Sequence, residues 1–88
     1  MNKNLQIGVI GLGKLGYQHA ANIRRAIGAD LVAISDPSNK ALERGEKDFN
    51  VVAFSDYKQM LSEVDLDAVV VATPTQTHYD ILIDVINA

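Results

Sequence analysis

The stretch that decides the fold is Ile7–Gly16, IGVIGLGKLG, in which a short apolar run is followed at once by a glycine-spaced loop. Gly11, Gly13 and Gly16 fit the G-x-G-x-x-G spacing. In that pattern the first glycine permits a tight turn, the second lets the backbone approach a pyrophosphate, and the third allows a helix to pack closely on a strand. Unpaired amides and the positive end of the helix dipole would hold the anion. The pattern therefore predicts a strand, a phosphate-binding loop and a helix N-terminus, and a glycine-rich turn without a ligand is the alternative.

The composition is that of an ordinary globular domain, with 88 residues, 48% hydrophobic and 22% charged. A net charge of −3 and the lack of any Lys/Arg cluster argue against nucleic acid and anionic membranes as partners. The absence of cysteines excludes disulfides and cysteine-based zinc sites, and it suits a reducing compartment. No apolar leader and no run of bilayer length precede or interrupt the pattern, so we expect a cytoplasmic protein.

Four apolar segments alternate with four segments of helical periodicity. The predicted strands are Leu5–Ile10, Leu31–Ile34, Val51–Phe54 and Ala68–Ala72. The first predicted helix is Lys14–Ile27, with the apolar face Gly16, Ala20, Ile23 and Ile27, and Gly28 ends it. The second is Lys40–Phe49, with Leu42, Gly45 and Phe49 facing inward. The third runs from a Ser55 or Asp56 cap through Val64, and the fourth follows a Thr77 cap, with the apolar residues Tyr79, Leu82 and Ile86. Right-handed crossovers then give an α/β fold, a doubly wound parallel sheet in the order 3-2-1-4.

Asp36 ends the second predicted strand, 20 positions after Gly16. In a doubly wound sheet that binds a dinucleotide, an acidic residue at this place accepts hydrogen bonds from the adenosine ribose. Its charge also repels a 2′-phosphate, which favours NAD over NADP, although Lys40 could reach a phosphate if Asp36 turned away. The alternative is a turn residue before Pro37. The cofactor-binding residues predicted from these patterns are Gly11, Gly13, Lys14, Leu15, Gly16 and Asp36, with the pyrophosphate over residues 13–15.

Several segments together make the sequence resemble the Gfo/Idh/MocA oxidoreductases, a family that includes glucose-fructose oxidoreductase and inositol 2-dehydrogenase. The segments are GLGKLG (11–16), SDP (35–37), DLDAVVVA (65–72) and above all ATPTQTH (72–78). The resemblance covers essentially all 88 residues, and the inositol 2-dehydrogenases are the most similar members. It implies an N-terminal NAD(P)-binding Rossmann domain. By position in the motif, the residues that the resemblance places on the nicotinamide side of the cofactor are Ala72, Thr73, Pro74, Thr75 and His78.

The resemblance also implies the reaction, the transfer of hydride between a sugar or cyclitol hydroxyl and the nicotinamide. In the family, a Glu-Lys-Pro segment and an Asp/His pair that serve catalysis follow the positions present here. We therefore expect residues 1–88 to be the incomplete, cofactor-binding portion of a two-domain enzyme, with no catalytic residue, no metal ligand and no turnover by itself. Because the fourth strand would then be an uncovered apolar edge, we expect a homo-oligomer or a self-associating fragment.

Two other functions fit parts of the pattern. A stand-alone NAD(H)-binding sensor module would have the same loop and the same acid after the second strand. An S-adenosylmethionine-dependent methyltransferase also has a glycine-rich loop after its first strand, but the Thr-Pro-x-x-x-His segment argues against it. For the lone His78 two interpretations are also open. It lies beside the cofactor, or it is a packing or capping residue.

Overall fold

The computed structural model of the chain describes residues 4–73 and 75–88, apart from the side chains of 75–79. These residues form a four-stranded parallel sheet between two helical layers. The strands are β1 (Leu5–Ile10), β2 (Ala29–Ser35), β3 (Val52–Phe54) and β4 (Ala68–Val71). The helices are α1 (Lys14–Arg25), α2 (Asn39–Phe49), α3 (Tyr57–Glu63) and α4 (Thr75–Asn87). The strand order β3-β2-β1-β4 confirms the predicted doubly wound topology.

Strand β1 lies inside the sheet, paired in parallel with β2 on one side and with β4 on the other. Its last residues, Val9 and Ile10, are buried because helices cover both faces of the sheet, which is why the strand lacks polar alternation. At its carboxyl end Ile10 is in register with Ser35 of β2 and Val71 of β4. Three strands therefore end at one place, beside the glycine loop.

Helices α1 and α2 form the first layer. Its core consists of Val9, Leu12, Ala20, Leu31, Ile34, Leu42 and Phe49. Two glycines set how closely these helices approach. A methyl group on Gly16 would overlap the Gly11 carbonyl oxygen, and one on Gly45 would lie 2.5 Å from Cδ1 of Ile34 and 3.0 Å from Cδ1 of Leu12. Close packing therefore requires Gly45, although glycine weakens a helix by about 1 kcal/mol relative to alanine.

The outer surface of this first layer carries a polar connection between its helices. The Tyr17 hydroxyl of α1 donates a hydrogen bond to the Asp48 carboxylate of α2. The Arg44 guanidinium lies 4.0 Å from the centroid of the Tyr17 ring, and its Nε is 3.9 Å from Asp48. The hydrogen bond to Asp48 raises the pKa of Tyr17. An aromatic ring, a cation and a carboxylate thus link α1 to α2 at the surface.

Helices α3 and α4 form the second layer on the opposite face. Its core consists of Ile10, Ala33, Phe54, Met60 and Ile81. Asp56 caps α3 by accepting a hydrogen bond from the Lys58 amide at 2.9 Å, one of the two caps that the sequence predicted. The Tyr57 hydroxyl of α3 donates a hydrogen bond to Asp84 of α4, so a second tyrosine and aspartate connect this layer.

The end of α1 differs from the prediction. The helix ends at Arg25, because Ala26 adopts an extended conformation with ψ 147°. Ile27, predicted on the buried face, is 103% exposed as a result. Gly28 has φ +89°, but it serves the turn into β2, where its carbonyl accepts a hydrogen bond from the Leu5 amide at 2.9 Å. The glycine was recognised correctly as a breaker, and its role as the helix cap was wrong.

The buried face of α4 also differs from the prediction. The helix begins at Thr75, so Thr77 lies inside it and is not its cap. Ile81 is buried and Val85 packs beside it, whereas Leu82 is 42% and Ile86 is 76% exposed. The packing of Ile81 in the same core as Met60 of α3 fixes this rotation of the helix. The predicted Tyr79 contact lies outside the described side chains.

Candidate functional site

A cavity of about 1020 Å³ opens where the carboxyl ends of all four strands meet the starts of α1 and α3 and one side of α4. The predicted site residues that line it are Gly11, Gly13, Lys14, Leu15, Asp36, Ala72 and Thr73. Gly16 does not line the cavity, since it lies underneath the loop against Gly11. Pro74 is outside the described residues, as are the side chains of Thr75 and His78. Ligands of open α/β sheets bind at this edge, where the strand order reverses.

Gly11 makes the tight turn at the end of β1. Its φ of +97° favours glycine, and a Cβ atom there would lie 2.7 Å from the Ala72 carbonyl oxygen. The Gly11 amide donates to the Ser35 carbonyl and the Ala72 amide to the Ile10 carbonyl, both at 2.8 Å. The loop is therefore attached to the strands on both sides of β1.

Gly13 contrasts with its neighbours, because the protein itself does not require a glycine there. Its backbone is ordinary, with φ −65° and ψ −171°, and no atom lies within 4 Å of the place where a Cβ would stand. Gly13 is one of the residues that line the cavity. Gly13 is also the N-cap of α1 and offers no side-chain cap, the first turn has no acidic residue, and no described side chain bonds to the first amides. Bare amides beside open space are the arrangement that binds a diphosphate at a helix N-terminus.

Asp36 has two structural contacts that the sequence did not predict together. One carboxylate oxygen accepts a hydrogen bond from the Leu12 amide of the glycine loop at 2.7 Å, and the other accepts from the Ser38 amide at 2.8 Å. The second contact is the turn role given above as the alternative. Since an ionised carboxylate offers about four lone-pair positions, each oxygen can accept one further bond. Asp36 can therefore hold the loop and still accept from a ribose.

Two buried hydroxyl groups of cavity-lining residues have no hydrogen-bond partner among the described residues. They are Oγ of Ser35, at the end of β2, and Oγ1 of Thr73, just after β4. Ser35 is only 1% exposed, and a buried hydroxyl without a partner costs about 1–3 kcal/mol. The sequence analysis ended the second strand at Ile34 and gave Ser35 no place in the site. The signal that could have found it is the one hydroxyl at the end of the otherwise apolar run LVAIS.

The side of the cavity formed by α3 and α4 is acidic. Asp56 and Asp80 line it, and Asp84 lies beside them through its bond with Tyr57. The hydrogen bond with Asp84, together with burial and the charges of Asp84, Asp56 and Asp80, raises the pKa of Tyr57 to about 12. Tyr57 is therefore a neutral hydrogen-bond donor at physiological pH and not a proton acceptor.

Within residues 4–73 and 75–88, no group of three His, Asp or Glu side chains is placed to hold a metal ion. None of the helices in that same part of the chain combines the length and the apolar character that crossing a membrane needs.

A glycine loop at the central strand, an acid at the end of the next strand and a cavity at the switch point define a dinucleotide-binding domain of the doubly wound class. Residues 5–88 match the model of the Gfo/Idh/MocA oxidoreductase family, described as an NAD-binding Rossmann fold, and the chain belongs to that family. Membership favours the oxidoreductase interpretation over the methyltransferase alternative.

Inositol dehydrogenases are prominent among the proteins to which the chain is similar. It is 36% identical over 85 residues to scyllo-inositol 2-dehydrogenase (NAD(+)) of Bacillus subtilis, covering 94% of this chain and 25% of that protein. It is 38% identical to inositol 2-dehydrogenase 4 of Saccharopolyspora erythraea, covering 98% of this chain and 26% of the relative. The chain thus spans about a quarter of the length of these relatives.

Solved structures show the same similarity. The structure of scyllo-inositol dehydrogenase from Lactobacillus casei with bound NAD(H) and scyllo-inositol superposes with a TM-score of 0.91 and 32% identity, over 97% of this chain and 26% of that one. The apo form of scyllo-inositol dehydrogenase from the same organism gives a TM-score of 0.93 at 31% identity, over 99% and 26% of the two chains.

Proposed function

We propose that this chain binds NAD(H) at the carboxyl edge of its sheet, as the cofactor-binding portion of a dehydrogenase that oxidises a cyclitol or sugar hydroxyl. The observation that carries the binding site is Gly13, a glycine with ordinary dihedrals that lines the cavity and at which an added Cβ would meet nothing within 4 Å. The similarity to NAD-dependent inositol dehydrogenases supports the substrate class. When bound, the nicotinamide supplies the hydride acceptor for oxidation of the hydroxyl.

Each part of the proposed site has a separate task. The first amides of α1, at Lys14 and Leu15, hold the pyrophosphate together with the helix dipole. Asp36 accepts hydrogen bonds from the adenosine ribose with the lone pairs that its two structural bonds leave open. Ala72 and Thr73 line the nicotinamide side, to which the motif also assigns Pro74, Thr75 and His78. No residue of the site is placed as a catalytic acid or base.

The binding proposal is tested by titrating NADH and following its fluorescence with the wild type and with Gly13→Ala. We expect saturable binding by the wild type and a loss of affinity of about tenfold or more in the variant, because a methyl group occupies the approach of the diphosphate. The free energy of unfolding should stay close to that of the wild type, since nothing lies within 4 Å of the new methyl group. Unchanged NADH affinity in a folded Gly13→Ala protein would overturn the proposed site.

The preference for NAD over NADP is tested at Asp36 with asparagine and not with alanine. Alanine would remove the bond to the Leu12 amide and disturb the loop, whereas asparagine keeps one acceptor oxygen and removes the charge. The wild type should bind NADH more tightly than NADPH, and Asp36→Asn should narrow that difference because the repulsion of a 2′-phosphate is gone. Equal binding of the two cofactors by the wild type would contradict this part of the proposal.

We also propose that chain 1–88, on its own, associates with itself and does not turn over substrate. Strand β4 is the outer strand of the sheet, and the neighbouring helix exposes Leu82 and Ile86, which favours pairing with a second copy. Sedimentation velocity over a tenfold range of concentration tests this. Ile86→Lys should weaken association, and Ile27→Lys, at a fully exposed isoleucine after α1, is the matched control. A monomer at all concentrations contradicts the proposal.

A reducing, cytoplasmic location and the absence of nucleic-acid partners are part of the same proposal. The lack of cysteines and the net charge of −3 support them. A stand-alone NAD(H) sensor remains the second candidate, and it differs in one measurable respect. It predicts a defined monomer or dimer as the functional unit, whereas the dehydrogenase proposal predicts a longer open reading frame that encodes the substrate domain.

A further inference from the structure

A second, smaller cavity of about 350 Å³ lies at the amino edge of the sheet, opposite the strand ends that form the candidate functional site. It opens because β3 is short and pairs with β2 only from Val52 and Ala33 onward, so the first residues of β2 have no strand beside them on that side of the described sheet. The residues that line this amino-edge cavity are 24, 29–32 and 49–51. Its volume is at the lower end of the range of small-molecule sites.

Two opposite charges lie on the walls of the amino-edge cavity without meeting each other. Arg24 and Asp30 both line it, and neither takes part in an ion pair among the described residues. The side-chain amides of Asn4 and Gln6 donate to the two oxygens of Asp30 at 3.3 Å each. Arg24 is held elsewhere, because its Nη1 donates to the Phe49 carbonyl. Neutral groups therefore hold both charges, and each charge keeps the capacity to bind a charged group of a ligand.

The electrostatics of this cavity disfavour a ligand that carries only one kind of charge. The carboxyl ends of α1 and α2, which carry the negative ends of their helix dipoles, border the cavity and oppose a simple anion. The Arg24 guanidinium, which stays charged, opposes a simple cation. A small molecule with both charges avoids these penalties, since its carboxylate accepts from Arg24 while its ammonium donates to Asp30.

Asn50 supplies a further polar group to the same walls. It ends α2 in the left-handed conformation, with φ 53° and ψ 53°, and its backbone N–H bonds to the Glu46 carbonyl at 2.9 Å. Its side-chain amide has no hydrogen bond among the described residues. Because an amide both donates and accepts, it can bond to either end of a ligand with two charges.

We propose that the amino-edge cavity binds a small zwitterion of the α-amino acid class, with its carboxylate on Arg24 and its ammonium on Asp30. The residues that line this cavity do not line the cavity at the carboxyl edge. The inference therefore goes beyond the proposed function and does not depend on it.

The test is a titration of chain 1–88 with L-alanine, followed by the backbone amide signals in ¹H–¹⁵N NMR spectra. Saturable shifts are expected at residues 29–32 and 49–51, without comparable shifts at residues 11–16 of the glycine loop. Ethylamine lacks the carboxylate of alanine and propionate lacks its ammonium, so each should bind about fivefold more weakly. Equal affinity of alanine and either analogue would overturn the assignment to a zwitterion.

Two variants each remove one charge from the cavity. Arg24→Gln keeps an N–H donor and Asp30→Asn keeps an acceptor oxygen, so neutral bonds can still hold both side chains. Each variant should weaken the binding of alanine about fivefold. The matched controls are Arg25→Gln, one residue later in α1, and Asp65→Asn, in the loop before β4. They make the same changes in charge outside the cavity and should leave the affinity at the wild-type value.

Each outcome decides the inference. A folded chain without saturable shifts at the amino edge would show that the site does not exist. Binding that Arg24→Gln and Asp30→Asn leave unchanged, or that the controls weaken equally, overturns the assignment to these two charges. If alanine binds as expected while NADH does not bind, the proposed function fails and this inference stands.

Discussion

The two helical layers of this small domain differ in how closely they pack. The layer of α1 and α2 is closed, since Gly16 and Gly45 bring its helices into contact with the glycine loop and the sheet. The layer of α3 and α4 borders a cavity at the strand ends, where two buried hydroxyls have no hydrogen-bond partner in the described part of the chain, and α4 exposes aliphatic side chains. The closely packed layer therefore lies beneath the first amides of α1, which would hold a charged group. The cavity lies on the other side, at the ends of the strands.

Gly16→Ala should break the first layer and have the largest effect. The new methyl group would overlap a backbone carbonyl oxygen of Gly11, which cannot move without displacing the turn. We expect a loss of about 3 kcal/mol or more in the free energy of unfolding, measured by urea denaturation followed by circular dichroism. The control is Gly13→Ala, three residues earlier on the same loop, with nearly wild-type stability. A Gly16→Ala protein as stable as that control would show that the layer is not closed as described.

Gly45→Ala should have a smaller effect in the same layer. Alanine gains about 1 kcal/mol of helix propensity, but its methyl group meets Cδ1 of Ile34 at 2.5 Å, and overpacking of this kind costs about 1–3 kcal/mol. We expect a net loss of about 1 kcal/mol. Because valine lacks that Cδ1 atom, Ile34→Val combined with Gly45→Ala should be more stable than the sum of the single changes predicts. Simple additivity in a double-mutant cycle would contradict the contact.

Ser35→Ala tests the open layer, and here the expected change in stability has the opposite sign. Removing this buried hydroxyl, which has no partner among the residues that the structure describes, should raise the free energy of unfolding by about 1 kcal/mol. The same change should weaken NADH binding a few-fold, because the ligand loses a hydrogen-bond partner. Thermal unfolding without ligand and NADH titration measure the two effects. A loss of stability with unchanged affinity would identify Ser35 as an ordinary structural residue.

The smallest effects are expected where each layer has a tyrosine bound to an aspartate. Tyr57→Phe should lower the free energy of unfolding by about 0.5–1 kcal/mol near neutral pH, through loss of the bond to Asp84. The folded pKa of Tyr57 is raised to about 12 from 10, so its contribution is complete below pH 10 and is lost as the pH rises through 12. The difference between wild type and Tyr57→Phe in urea denaturation should therefore shrink above pH 10. Tyr17→Phe, at the more exposed pair, should change stability less, and an equal or larger loss there would reverse the comparison.

Local patterns predicted the closed layer well, because its elements are defined by residues close together in sequence. The glycine loop, the strand order and the inward residues Leu42, Gly45 and Phe49 all follow from such patterns. The errors fall where tertiary contacts decide. Periodicity alone could not tell that the chain leaves α1 before Ile27.

The second layer shows the same limit for the candidate site. The apolar pattern of α4 allows more than one side of the helix to face the sheet. The packing of Ile81 in the same core as Met60 of α3 selects one of them. The loop residues of the cavity were predicted from motif spacing. Ser35 and the acidic side of the cavity, with Asp56 and Asp80, were not predicted, because residues distant in sequence come together there only when the chain has folded.

The Asp36 carboxylate, held by amides from Leu12 and Ser38, has a consequence for how this fold can evolve. The residue that would discriminate between coenzymes also holds, by a hydrogen bond, the loop that would bind them. A substitution that removes both side-chain acceptors, such as alanine, leaves the Leu12 amide without its partner in the same step. A change of coenzyme through such a substitution therefore requires a second substitution that binds the loop again, whereas asparagine keeps one acceptor oxygen.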